Sequence, residues 1–434
     1  MQKIGVRYED KYLMERRVAL VPGHIKELTQ KGVEIEVVRS EKRIFKDEEF
    51  EKAGARLVDE ITDSDIVIGV KEMPIGYFKK DKTYIFFSHT IKGQPYNMPL
   101  LQDIIDSCAS LIDYEKIEDE QGRRLIFFGR FAGLAGMINS LWALGQRWHK
   151  MGIDTPFLKI QQTHHYDSLE DAKEVVREVG DFIRENGLPE NVAPLTIGIT
   201  GYGNVSKGAQ EILDLLPVIE ISPKELISLK NRKEIPEKII YKTVFKEEHL
   251  SKPFDSSREF DLQEYYDHPE RFESRFEPYI PHMTILMNCM YWDDRYPRLV
   301  TKDYLEKLYR SGTPKLTVIG DVTCDPNGSI EALHTGTEIE DPVFVYNPFT
   351  RQPTMGFEGE GLLIMGVDIL PSELPREASQ TFSNALIGFL TEIVNTDFDV
   401  SFENLKLPAP IKKAMIVFKG KLTPEYEYLN EHLK

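Results

Sequence analysis

Cysteine is scarce in this 434-residue chain. Cys108, Cys289 and Cys324 are the only three, far apart and with no CxxC pair. That excludes a disulfide framework and a cysteine zinc site, and fits a reducing cytoplasm. The first residues, MQKIGVRYEDK, lack an apolar signal core, so no secretory leader is expected. No run approaches the ~18 consecutive apolar residues of a membrane span, so no membrane partner is expected. Positive charge is in deficit: 54 Lys and Arg stand against 71 Asp and Glu, a net charge of −17. Such a surface repels nucleic acid and anionic lipid. Internal repeats and low-complexity tracts are also absent.

What is present is an alternation. Hydrophobic residues make up 41% of the chain, enough for sizeable cores, and the length suggests two or three domains. KIGVR (3–7), VEIEVV (33–38), DIVIGV (65–70), TYIFFS (83–88) and ASLIDYE (109–115) read as strands. HIKELTQKG (24–32) and PLLQDIIDSC (99–108) read as helices among them. Short, continuous apolar runs of this kind belong to buried parallel strands. FAGLAGMINSLWALGQRWHKMG (131–152) reads as a long buried helix linking two domains, and residues 168–187 as a further helix. PLTIGIT, VIEIS (218–222), MTILMNCMYW (283–292) and LTVIGDVTCD (316–325) read as strands of the second domain, and GLLIMGVDILP (361–371) as a further apolar segment. Residues 223–280 are polar and read as a long excursion. QTFSNALIGFLTEIVN (380–395) is an amphipathic helix expected to return to the first domain. The tail from Pro408 reads as polar with little core. The expected class is α/β: two Rossmann-like domains with parallel sheets and a cleft between them. The first would comprise residues 1–140 plus 346–434 and bind substrate. The second would comprise 141–345, with 223–280 as an insertion.

ITGYGNVSKGAQ (199–210) follows one of these strands and opens a helix. Gly201 and Gly203 match the first two glycines of a GxGxxG dinucleotide turn, and Ser206 stands in the third place. Asn204 and Val205 begin the helix whose N–H groups would face a pyrophosphate. An ordinary strand–helix turn is the alternative. An acid at the tip of the second strand would take a ribose 2′-hydroxyl. VIEIS ends instead in Ser222-Pro223-Lys224, with Glu220 inside the strand, which leans towards NADP with NAD as the other option.

Titratable groups gather at the ends of the first domain's strands. Lys71 and Glu72 follow DIVIGV; His89 follows TYIFFS, with Lys92 three residues on. Ligands of parallel sheets bind beyond these carboxyl ends, where partial desolvation tunes a lysine for proton transfer. Arg17, before an apolar stretch, has the fork that suits a carboxylate. Glu115 ends a strand and Arg124 sits in a turn. Asp321 ends LTVIGD, either facing a nicotinamide or capping a helix. His164 and His165 read as structural. For Lys71, His89 and Arg17, a surface lysine, a loop histidine and a solvated charge cluster are the plain alternatives.

ERRVALVPGHIKEL, FFSHTIKGQ, LIDYEKIEDEQGRR, FAGLAGMIN, GYGNVSKGAQ, MYWDDRYPRL, DPNGSIE and LPREAS together resemble the lysine–ketoglutarate reductase half of animal α-aminoadipic semialdehyde synthases, over nearly the whole chain. VKEMP, DEQGRR and PREAS also resemble fungal, lysine-forming saccharopine dehydrogenases. Alanine dehydrogenase is a more distant relative with the same two-domain plan. The resemblance implies reversible condensation of L-lysine with 2-oxoglutarate and reduction of the imine to saccharopine by a nicotinamide coenzyme. It implies that Lys71 and His89 are the acid–base pair, that Arg17 lies near the substrate carboxylates, that Glu115 tunes the site and that Asp321 lies near the nicotinamide. Glu72, Lys92 and Arg124 are counted with the substrate-binding residues. Animal reductases use NADP and the fungal enzymes NAD; Glu72 after Lys71 follows the fungal pattern. A cytoplasmic enzyme performing only this first step is expected, with a homo-oligomer left open. Amination of a small 2-oxo acid by ammonia, as in alanine dehydrogenase, is the second expectation, and a silent binding protein the third.

Overall fold

The structure, a computed structural model, describes residues 2–229 and 236–433. The chain divides into two units, Met1–Phe128 with Pro375–Lys434, and Gly129–Leu374.

The first unit is built on an eight-stranded sheet. Its parallel part comprises β1 (Ile4–Val6), β2 (Ile35–Val38), β3 (Arg56–Val58), β4 (Ile66–Ile68), β5 (Thr83–Phe86) and β6 (Ser110–Asp113), ordered β6-β5-β4-β1-β2-β3. Both faces of β1, β4, β5 and β6 are buried, which is why these strands read as continuous apolar runs. Ile4 pairs with Ile66, Ile66 with Thr83 and Thr83 with Ser110. Four neighbouring strands thus start level and release their chains on one edge. The helix Pro375–Ile393 buries Ala378, Phe382, Leu386 and Leu390 at four-residue spacing in this unit's core. Each large side chain so removed from water contributes about 1.5–3 kcal/mol.

The tail from Pro408 departs from its reading as a coreless segment. Met415–Phe418 is a fully buried strand, antiparallel to β6, and Lys421–Leu422 pairs beyond it. Five apolar residues between lysines are too few to show periodicity, and the sheet edge supplies the rest.

The second unit holds β7 (Leu195–Thr200), β8 (Val218–Glu220), β9 (Ile240–Phe245), β10 (Ser251–Pro253), β11 (Phe272–Ser274), β12 (Ile285–Asn288), β13 (Val318–Asp321), β14 (Val343–Tyr346), β15 (Pro353–Met355) and β16 (Leu362–Met365). Its main sheet runs β15-β14-β16-β13-β12-β7-β9-β8, and β10 with β11 forms a separate antiparallel ribbon. Two readings change. Strands β14 to β16 complete this sheet, so the second unit runs from Gly129 to Leu374 rather than from 141 to 345. The supposed excursion contains β9, which pairs directly with β7 and pushes β8 to the edge. No helix among the described residues is long and apolar enough to cross a membrane.

The helix Gly129–Lys150 crosses the helix Asn204–Leu213 at backbone contact. A Cβ on Gly133 would lie 1.9 Å from the Val205 carbonyl oxygen, and one on Gly208 would lie 2.1 Å from that of Arg130. Gly208 therefore serves a helix–helix crossing. Gly133→Ala must push the helices apart and should cost about 1–3 kcal/mol or more. Calorimetry should show a melting temperature lower by several degrees; an unchanged melting temperature contradicts the crossing.

Candidate active site

The level exits of β1, β4, β5 and β6 bring the first unit's titratable residues together. Lys71 leaves β4 half-buried, its ammonium 5.6 Å from the centre of the Tyr12 ring. Its position is set by a carboxylate that the sequence did not single out. Glu9, just beyond β1, accepts the Val70 N–H at 2.7 Å through Oε1 and the Lys71 N–H at 2.8 Å through Oε2. Glu9 is fully enclosed; burial, with repulsion from Glu15, pushes its carboxyl up to about 7, against those two N–H groups and Arg7.

Glu72 and His89 form a pair. The Nδ1 of His89 lies 2.8 Å from Glu72 Oε1, and Lys11 Nζ donates to the same oxygen at 2.7 Å. Burial opposes the charge on Glu72, but the hydrogen bonds and charges of His89 and Lys11 outweigh it and hold the carboxyl at about 2. A carboxylate on Nδ1 fixes the proton there, leaving Nε2 as the nitrogen for acid–base work. His89 has φ 53, a conformation that non-glycine residues seldom adopt, and Asn97 holds it by donating to its carbonyl oxygen at 2.8 Å.

Arg17 is not an open fork. Its Nε and an Nη donate to the two oxygens of buried Glu15 at 2.7 and 2.5 Å, and its guanidinium lies 4.2 Å from the centre of the Phe128 ring. Glu115 follows β6 and is buried, paired with exposed Arg124. Asp113, at the end of β6, accepts from the N–H and hydroxyl of Ser88. Burial raises its carboxyl, and the Glu115 charge adds to this. Lys92 is exposed in the loop after His89.

In the second unit, Gly201 has φ 79, and its N–H donates to the Phe245 carbonyl at 2.9 Å. Gly203 precedes the helix Asn204–Leu213, whose first turn has no side-chain cap, and a Cβ on Gly203 would meet nothing within 4 Å. Uncapped N–H groups beside open space suit a pyrophosphate. Asn204 is exposed and Val205 half-buried at this start. Asp321 ends β13 fully buried. Its Oδ1 accepts Asn288 Nδ2 at 2.8 Å, while Asn288 Oδ1 accepts the Thr200 hydroxyl at 2.9 Å. The ends of β13, β12 and β7 are thereby tied in one row. Burial pushes Asp321 up to about 7. Ser222 stands elsewhere: beyond the outermost strand, it caps the helix Pro223–Ser228, its hydroxyl donating to Glu225 at 2.8 Å. The NADP lean drawn from the exit of β8 therefore rested on a strand that does not adjoin β7.

Two family models match: alanine dehydrogenase/PNT, N-terminal domain, over residues 5–135, and alanine dehydrogenase/PNT, C-terminal domain, over 273–425. The chain belongs to the alanine dehydrogenase/PNT family. Within that family its glycine turn lies between the two matched stretches. An alpha-aminoadipic semialdehyde synthase of Arabidopsis thaliana is 38% identical over 98% of the chain and 41% of that protein. The chain spans less than half the length of such curated relatives. A saccharopine dehydrogenase [NAD(+), L-lysine-forming] of Yarrowia lipolytica is 29% identical over 91% of the chain and 93% of that protein. A solved L-alanine dehydrogenase superposes over 100% of both chains with a TM-score of 0.63 at 19% identity, a likeness of fold.

Glu9, Lys11, Glu15 and Asp113 escaped the sequence reading, although Asp113 stands at a strand exit and carries that signal. Glu72 gives a pH test. Its carboxyl is depressed in the fold, so its contribution is present above the unfolded value near 4.5 and lost as pH falls towards about 2. Between pH 6 and 3 the wild type should lose roughly 1–3 kcal/mol more stability than Glu72→Gln, read from urea midpoints. Parallel losses would contradict the ion-pair geometry.

Proposed function

We propose that this chain is a nicotinamide-dependent oxidoreductase that joins the ε-amine of L-lysine to 2-oxoglutarate and reduces the product to saccharopine, reversibly. The observation that carries the reading is the cluster of Lys71 with the Glu72–His89 pair on one sheet edge, in a chain 38% identical to an aminoadipic semialdehyde synthase. Its substrates are small molecules, and a reducing cytoplasm suits its three free cysteines.

Condensation to the iminium moves two protons from the substrate ammonium to the carbonyl oxygen, which leaves as water. Lys71, in its neutral form, takes the proton from the substrate ammonium. His89 gives the proton from Nε2, and Glu72 supports the cationic ring through Nδ1. Two groups with different surroundings can divide these roles. Arg17, locked by Glu15, presents a fixed cation beside the substrate carboxylates; Glu115, Arg124 and Lys92 complete that polar wall. In the second unit Gly201, Gly203, Asn204 and Val205 would hold the coenzyme's pyrophosphate, and Asp321 would lie near the nicotinamide. The coenzyme, when bound, supplies the hydride that reduces the imine.

Amination of a 2-oxo acid by ammonia is the second reading, favoured by the fold shared with L-alanine dehydrogenase. Purified protein should oxidise NADH or NADPH when given L-lysine with 2-oxoglutarate. Replacing lysine by ornithine or ammonia should abolish most of the rate. Activity with ammonia alone would sink the lysine reading in favour of the second. Lys71→Met should lower turnover by about 100-fold or more while coenzyme binding persists; near-normal turnover would remove Lys71 from its role.

A further inference from the structure

The segment after β9 has no part in the function so far. β9 is the neighbour of the glycine-bearing strand, and Thr200 pairs with Phe245. Lys246 and Glu247 therefore leave the sheet beside Gly201 and Tyr202, and the Gly201 N–H to Phe245 carbonyl bond of 2.9 Å fastens the two exits together. The exit of β8 lies two strand spacings from β7, roughly 9.6 Å. In a dinucleotide fold, the strand tip beside the glycine strand is where the adenosine ribose is read. In this chain that tip is Lys246-Glu247, more than forty residues past the turn because β8 intervenes.

Glu247 is half-buried and oriented. Its Oε1 accepts the Tyr266 hydroxyl at 2.8 Å. Tyr266 belongs to the short helix Leu262–Asp267, in the segment that connects β10 with β11, and its hydroxyl also interacts with that of Tyr202 in the glycine turn. Burial and the Glu247 carboxylate raise the Tyr266 phenol, so it remains a donor. One oxygen of Glu247 is thus spent on a tyrosine. No hydrogen bond to its second oxygen is seen among the described residues. Tyr202 and Tyr266 are 45% and 42% exposed, aromatic surface beside this carboxylate.

We propose that Glu247, positioned by Tyr266, accepts the 2′-hydroxyl of the coenzyme's adenosine ribose, and that this chain therefore prefers NAD(H) to NADP(H). The proposal rests on the oxidoreductase reading above. A carboxylate accepts from a ribose diol and repels a 2′-phosphate. The excursion at residues 246–274 then forms the wall that orients the reading carboxylate.

Fluorescence titration of the full chain with NADH and with NADPH, without lysine or 2-oxoglutarate, tests this. Wild type should bind NADH at least about tenfold more tightly than NADPH. Glu247→Ala should weaken NADH by about tenfold or more and leave NADPH unchanged or tighter, so the preference collapses. Tyr266→Phe should reduce the preference partway; a merely structural tyrosine would weaken both coenzymes alike. Tighter binding of NADPH by wild type, or an unchanged ratio in Glu247→Ala, would overturn the assignment while leaving the oxidoreductase reading intact. So would a Lys246→Ala variant whose main loss is NADPH affinity. Binding of neither coenzyme would overturn both.

Discussion

The first unit's chemistry depends on one buried carboxylate that itself reacts with nothing. Glu9 spans the exits of β1 and β4, one oxygen on each of two successive backbone N–H groups. Without that fork, the chain leaving β4 would have two unpaired donors and no reason to turn where Lys71 and Glu72 begin. An enclosed carboxylate is costly, and here burial and Glu15 push its proton affinity up. The structure tolerates that cost at the point where a backbone segment must be placed. Lys71 is placed through its own N–H, which leaves its ammonium near the Tyr12 ring.

The same logic recurs in the second unit. Asp321 and Asn288 are buried polar side chains whose bonds join strand ends rather than solvent. Thr200, immediately before Gly201, belongs to that row. The glycine turn is therefore fixed from two sides: by side chains along the sheet edge, and by the backbone bond from Gly201 to Phe245. The helix that follows is fixed from a third, where Gly133 and Gly208 let two helices meet at backbone distance.

The parts of this plan that the sequence displayed are those set by local rules. β4, β5 and β7 are apolar runs closed by polar residues, and a lysine or histidine at such an exit announces itself. So does a GxG turn between a strand and a helix. What stayed hidden depends on which partner a residue takes once folded. β9 looked like part of a polar excursion because β8 had already filled the expected place. Its KTV interior hides a pattern that only pairing with β7 completes. Arg17 looked free because its partner, two residues earlier, reads as one charge in a cluster. Glu9 sits in a run of charged and aromatic residues near the start of the chain, where nothing local distinguishes a buried acid from a solvated one.

The discontinuity of the first unit has a consequence for the order in which the molecule is made. When residues up to Phe128 have left the ribosome, β6 has an open edge, and the place of Phe382, Leu386 and Leu390 in the core is vacant. The second unit is continuous from Gly129 to Leu374 and can complete its sheet from its own residues. The unit that begins first therefore finishes last, after Met415–Phe418 has emerged. An apolar strand edge waits through the synthesis of nearly three hundred further residues, a period in which chaperone protection matters more than final stability.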